Sequence, residues 1–301
     1  MRTLSVAGLQ VELSKGDNLA ALAAEIRGAK RRYPWVDMIV LPELASFGTG
    51  VDRAQRMPGP AERHYCEIAR DLGIWLVPGS LYELRRGKIF NTAPVIDPAG
   101  RVVARYRKMF PWRPYEDGVT AGTGFVVFDV PRAGRVGISI CYDGWFPEVS
   151  RSLAWLGAEI IIHPTLTSSI DRGVELAIAR TNAASNQCYF VDINVAGDIG
   201  TGRSIVCGPG GEVLHEAGQG REIIAVRLDL DYLRACRAFG WHGLGQPLKS
   251  FRDSEAAFPC YGAGRRVSAP LERLGTLRLP AARTRIKREA KKNVGRARRR
   301  R

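Results

Sequence analysis

The chain contains no CxxC pair and no HExxH, and no apolar run comes near the roughly 20 residues that a membrane-spanning helix requires. Its six cysteines (Cys66, Cys141, Cys188, Cys207, Cys236, Cys260) are never closer than 19 residues, which excludes zinc-ribbon spacing. Its four histidines (His64, His163, His215, His242) are equally scattered. No Lys-Ser or Lys-Thr follows the turn Pro209-Gly210-Gly211, so that turn belongs to a hairpin and not to a phosphate loop. The first ten residues turn polar too early for a secretory leader. Free thiols in a reducing cytoplasm are therefore expected, with neither metal nor cofactor.

What is present suits a globular fold. The chain has 301 residues, 45% hydrophobic and 25% charged, enough to bury a large core without disulfides. The net charge of +15 is concentrated at one end: residues 283–301 carry eleven Lys or Arg and one Glu, leaving about +5 over residues 1–282. Such a run reads as a solvated, disordered tail. Binding of nucleic acid or an acidic surface through it is the competing reading, although the tail lacks the interleaved aromatics that stack on bases.

Periodicity predicts mixed α/β architecture. Residues 2–10, 36–41 and 74–77 read as strands, separated by helical patterns over 17–31 and 61–72. Residues 81–84, 89–96 and 102–106 form an antiparallel meander, which 126–130 and 136–140 are expected to continue. Helices over 147–156 and 172–186 alternate with strands over 159–163 and 189–194, and further strands flank Pro209-Gly210-Gly211 and cover 223–228. Two sheets covered by helices follow from this order. We divide the chain into a domain over 1–260 and a C-terminal arm with basic tail over 261–301, the tail expected to be flexible.

Three strand ends carry chemistry. Cys141 closes the apolar stretch Ile138-Ser-Ile and precedes a helix start. A thiol there meets unbonded backbone N–H groups, although a lone strand cysteine is ordinarily just a small hydrophobe. Glu43 follows Leu41-Pro42, where a carboxylate can act as general base or be an ordinary loop residue. Lys108 follows Arg105-Tyr-Arg, where an ammonium can hold an oxyanion or simply join a basic surface. Glu116 lies eight residues beyond Lys108.

These motifs, in this order, resemble the carbon–nitrogen hydrolase (nitrilase) superfamily, which is marked by a Glu, a Tyr-Arg-Lys and a Cys after successive apolar strands. The likeness runs from about residue 3 to about 235 and includes Gly202-Arg-Ser-Ile205 before Pro209-Gly-Gly211. Lys108-Met-Phe-Pro-Trp-Arg-Pro-Tyr-Glu116 and Cys141-Tyr-Asp-Gly…Phe146-Pro-Glu148 are closest in wording to aliphatic amidases and formamidases. Asp117-Gly118 and Tyr142 depart from that wording.

The resemblance implies a four-layer αββα sandwich and assembly into a homo-oligomer, with residues 236–280 as an arm reaching across. It implies catalysis by Glu43, Lys108, Cys141 and Glu116 on a small-molecule amide, through a thioester and without a cofactor. Tyr142, Trp145, Trp112 and Thr165 are the expected pocket residues, each of them equally suited to packing. A nitrilase, an N-carbamoyl amine or amino acid hydrolase, and an amide-forming acyl transferase share these residues and stand as alternatives.

Overall fold

The computed structural model describes residues 2–261, 268–274, 276 and 277. They divide into two compact units, Met1–Pro111 with Gly118–Ser254, and Trp112–Asp117 with the residues from Glu255 on.

The larger unit is built on two sheets. In the first, β1 (Thr3–Gln10), β2 (Met38–Val40) and β3 (Trp75–Val77) run parallel, joined through α1 (Leu19–Arg32) and α2 (Pro60–Leu72). The hairpin β4 (Leu81–Arg85) and β5 (Lys88–Ile96) follows, and β6 (Val102–Arg107) pairs with β5. The chain then crosses to the second sheet. There β7 (Val126–Val130), β8 (Gly134–Ile138), α3 (Pro147–Trp155), β9 (Ile160–Pro164), α4 (Arg172–Asn186), β10 (Tyr189–Ile193), β11 (Ile205–Cys207) and β12 (Val213–Glu216) follow in order. The last strand, β13 (Glu222–Asp229), returns to the first sheet and pairs antiparallel with β1 along its full length. The helices α5 (Leu230–Phe239) and α6 (Pro247–Arg252) complete this unit.

Residues 126–130 and 136–140 thus do not extend the first meander. They open the second sheet, and β8 stops at Ile138. A local antiparallel pattern reads the same whichever sheet a hairpin joins, so only the crossover settles it.

Side-chain alternation makes the layers. Leu4 and Val6 on β1, Met38 and Val40 on β2, and Val95 on β5 face Val136, Ile138, Ile160, Ile162 and Val191 of the second sheet in one buried cluster. The opposite faces take the helices. Ala7, Leu9, Ile39 and Leu76 pack under Leu22 and Ile26 of α1 and Tyr65 and Ile68 of α2. Ile161, Phe190 and Ile205 pack under Leu153 of α3 and Leu176 and Ala183 of α4. This is the αββα order. Gly8 is required where the sheets meet most closely, because a Cβ there would lie 2.0 Å from Ile193 Cδ1.

The smaller unit holds the turn at residues 112–117 and, among the described C-terminal residues, a 3-10 turn at Pro259–Tyr261 and a short helix α7 (Ala269–Glu272). The basic tail over 283–301, and much of the arm before it, lie outside the described residues. No helix among the described residues is long and apolar enough to cross a membrane.

Candidate active site

Glu43 lies three residues beyond β2, on backbone tied down at several points. Leu41 N–H donates to Val77 O (2.9 Å), Glu43 N–H to Thr165 O (3.3 Å), and Leu44 N–H to Ser80 Oγ (3.1 Å). Lys108 follows β6 directly, and its N–H donates to Asn91 O at 2.8 Å. The two side chains meet: Lys108 Nζ lies 2.9 Å from Glu43 Oε1, and both are almost fully buried. Asn91 Nδ2 donates to the same oxygen at 2.8 Å. A buried carboxylate needs such partners, because an unpaired one would cost several kcal/mol.

Cys141 opens a 3-10 turn, Cys141–Trp145, at the head of α3. Its φ of 45° is in the left-handed region, which costs a non-glycine residue about 1–3 kcal/mol and marks backbone held in place by its surroundings. The thiol is only partly covered, and Sγ lies 3.9 Å from Leu166 O, the carbonyl next to the one that Glu43 N–H bonds. The Glu43 backbone N–H and the Cys141 sulfur therefore approach adjacent carbonyls, those of Thr165 and Leu166, from opposite sheets. Burial pushes the Cys141 thiol well above its usual pKa, the Glu43 charge adds to this, and the Lys108 ammonium opposes it. The resting group is a thiol beside a carboxylate.

Asp143 fixes the turn. Its carboxylate accepts from Ile140 N–H (2.9 Å), Phe110 N–H (2.9 Å) and Tyr106 Oη–H (2.7 Å), so it joins the Cys141 turn to the strand that carries Lys108. Burial raises its pKa to about 6, against the opposing pull of the Ile140 N–H, the Tyr106 hydroxyl and Lys108. Under the turn lies His163, whose Nδ1 is 2.7 Å from Ser139 Oγ and whose pKa burial lowers to about 3, leaving it neutral. A Cβ on Gly144 would stand 3.0 Å from His163 Nε2, a tight contact that the imidazole would have to relieve.

The expected pocket residues divide. Tyr142 and Trp145 lie on the turn, half-buried, in an aromatic group with Phe146 and Phe110; Tyr142 packs edge-on to Phe146 at 5.3 Å and Phe110 stacks on Phe146 at 3.6 Å. Thr165 is buried, 1% exposed; its carbonyl accepts from Glu43 N–H and its hydroxyl hydrogen-bonds to Asp192. Trp112 and Glu116 belong to the smaller unit. There Trp112 stacks on Tyr115 at 4.2 Å, and the Glu116 carboxylate accepts from Trp112 N–H at 2.5 Å.

Sequence reasoning missed Asn91, Glu175 and the tie between Tyr106 and Asp143 as parts of the site. Asn91 left a usable signal, since Asn is depleted in strands and here sits inside β5. Glu175 left none, being one more charge near a helix start. Among the described residues, no three His, Cys, Asp or Glu side chains cluster as a metal site.

With this geometry in place, the comparisons are decisive for the family. The carbon-nitrogen hydrolase family model matches residues 3–238. The chain belongs to the carbon–nitrogen hydrolase family. It is 31% identical to the omega-amidase NIT2 of Homo sapiens over 255 residues, 78% of this chain and 91% of that protein. It is 32% identical to a formamidase of Bacillus cereus over 180 residues, 57% of this chain, and so spans about half (54%) of that relative's length. Among solved structures, a nitrilase-superfamily amidase from Nesterenkonia superposes with a TM-score of 0.68 at 26% identity, covering 78% of this chain and 94% of that one. That amidase has been solved, as a variant lacking its cysteine, with butyramide bound, and in another variant its active-site cysteine carries the Michael adduct of acrylamide.

Proposed function

We propose that this carbon–nitrogen hydrolase cleaves a small, linear, non-peptide amide to a carboxylic acid and ammonia, with Cys141 as the nucleophile. One observation carries the reading: a thiol held on left-handed backbone shares its surroundings with a buried Glu43–Lys108 pair. A protonated thiol is a weak nucleophile, so attack requires a base, and Glu43 is the carboxylate whose charge it feels most. Glu43 takes the Cys141 proton as sulfur attacks the carbonyl carbon. The oxyanion is held by the Lys108 ammonium and the Tyr142 N–H, which comes early in the 3-10 turn, where N–H groups find no carbonyl within the turn. Glu43 returns the proton to the leaving ammonia, then deprotonates the water that opens the thioester. Tyr142, Trp145 and Thr165 are assigned to enclose the acyl group.

The amidase names of the relatives support amides over nitriles and carbamoyl compounds. The test is ammonia release from a panel of small amides, with matched nitriles and N-carbamoyl compounds alongside and Cys141→Ala as control. Turnover of amides that vanishes in the variant is expected. Turnover of nitriles or carbamoyl compounds alone would move the substrate class and keep the nucleophile.

A further inference from the structure

Beside the Glu43–Lys108 pair lies a second group of buried charges that the mechanism does not use. Arg172, at the start of α4, is 2% exposed. Its Nη2 reaches Asp192 Oδ1 at 2.8 Å and Arg203 O at 2.8 Å; its Nη1 reaches Asp192 Oδ2 and Glu175 Oε2, each at 3.2 Å. One guanidinium thus serves two carboxylates, with the closer contact to Asp192. The excess negative charge falls on Glu175, whose side chain keeps 11% exposure against 3% for Asp192.

Glu175 is turned toward the nucleophile from both flanks. Its Oε1 accepts from Trp145 Nε1 at 3.4 Å, and Trp145 ends the turn that Cys141 begins. The same oxygen accepts from Thr167 Oγ1 at 3.0 Å, and Thr167 follows Leu166, whose carbonyl faces the Cys141 sulfur. The Glu175 charge is felt at both Cys141 and His163, neither of which can neutralise it: one is a thiol, the other a neutral imidazole. Among the described residues Oε2 accepts one hydrogen bond from a side chain, that of Arg172, and so keeps room for another donor.

We propose that Glu175 forms a cation-recognising subsite beside Cys141, so that the preferred amide carries a protonated amine on its acyl part. The proposal rests on the amidase reading above and adds the class of acyl group. A carboxylate-bearing amide is the natural rival, with Arg172 as its anchor. Both Arg172 Nη atoms, however, are already committed to carboxylates and a carbonyl, its Nε, which has no hydrogen-bond partner among the described residues, lies in a side chain only 2% exposed, and the Glu175 side chain is the more exposed of the two.

The test compares kcat/KM for 4-aminobutanamide, butanamide and succinamate, matched in length and differing in charge. The cationic amide is expected to exceed the neutral one at least about tenfold, the size of one charge-assisted hydrogen bond. In Glu175→Gln that ratio falls toward one, whatever the absolute rates. Thr167→Val, which removes a neighbour of Glu175 and keeps the charge, retains the ratio and controls for packing. A second readout needs no turnover: Cys141 alkylation by 2-bromoethylammonium relative to iodoacetamide, expected to drop about tenfold in Glu175→Gln. Preference for succinamate, or ratios unchanged in Glu175→Gln, overturns the subsite. Silence toward all amides with an alkylation ratio that still falls would keep the subsite and remove the amidase reading.

Discussion

At the scale of single residues, the arrangement around Cys141 makes the thiol dependent on its neighbours. Burial and the Glu43 charge both disfavour a free thiolate, so in the proposed mechanism proton removal accompanies attack. Glu43→Gln keeps the size and the contacts to Asn91 and Lys108 but cannot accept the proton. Turnover is expected to fall by at least about a thousandfold, and the Lys108 ammonium left buried beside a neutral amide lowers the thermal midpoint; steady-state rates and a melting curve check both. Lys108→Ala should differ. Loss of an oxyanion donor lowers turnover by about 10²–10³, and the buried Glu43 carboxylate left without its ammonium also costs about 3–5 kcal/mol of stability, measurable by urea unfolding. Wild-type stability in both variants would contradict a stabilising buried ion pair.

The same scale shows why part of the site was readable in the sequence and part was not. Glu43 and Cys141 each follow an apolar run and Lys108 directly follows β6, and a candidate reactive group at a strand end is displayed at the edge of a sheet; position along the chain reveals that. Asn91 meets Glu43 only because β5 follows β2 and β3 in the order of the sheet, and Asp143 meets Tyr106 only across the two sheets. Glu175 reaches the turn through the way α4 packs against it. Such partners depend on tertiary contact, which no local spacing encodes.

At the scale of elements, the strands and helices were legible because period and turn chemistry agree, α4 at Arg172–Asn186 being the plainest case. The assignment of β7 and β8 to a sheet was not, because hairpins look alike in either. Connections between elements also carry function. Gly79, just after β3, has φ of 70°, and a Cβ there would stand 1.8 Å from Pro42 O, one residue before Glu43. Gly79→Ala is therefore expected to push the Pro42–Glu43 segment aside. It should lower kcat/KM by about tenfold or more while the circular dichroism spectrum persists, since misplacement of a catalytic group by about 1 Å has that order of effect. An unchanged kcat/KM would mean that the segment relaxes without moving Glu43.

At the scale of the whole molecule, two buried groups shape stability against pH in opposite senses. His163 stays neutral in the fold down to about pH 3, while the unfolded chain protonates it near 6.5. Its contribution is complete above pH 6.5 and is lost as pH falls toward 3, at most about 5 kcal/mol. Asp143, raised to about 6, stabilises below its unfolded value near 3.8 and loses that contribution as pH rises through 6. Urea unfolding at successive pH values should therefore show a shallower acid-side decline in His163→Gln, by up to about 1.4 kcal/mol per pH unit. An identical slope would mean that His163 titrates alike in both states.

The central claim is that Cys141 carries the acyl group during amide hydrolysis. Rapid acid quench of the enzyme turning over a small amide, followed by intact mass measurement and peptide mapping, tests it most directly. The expected result is a mass increase equal to the acyl group, located on the peptide containing Cys141 and absent from Cys141→Ala, which also releases no ammonia. Ammonia release that survives in Cys141→Ala would contradict it.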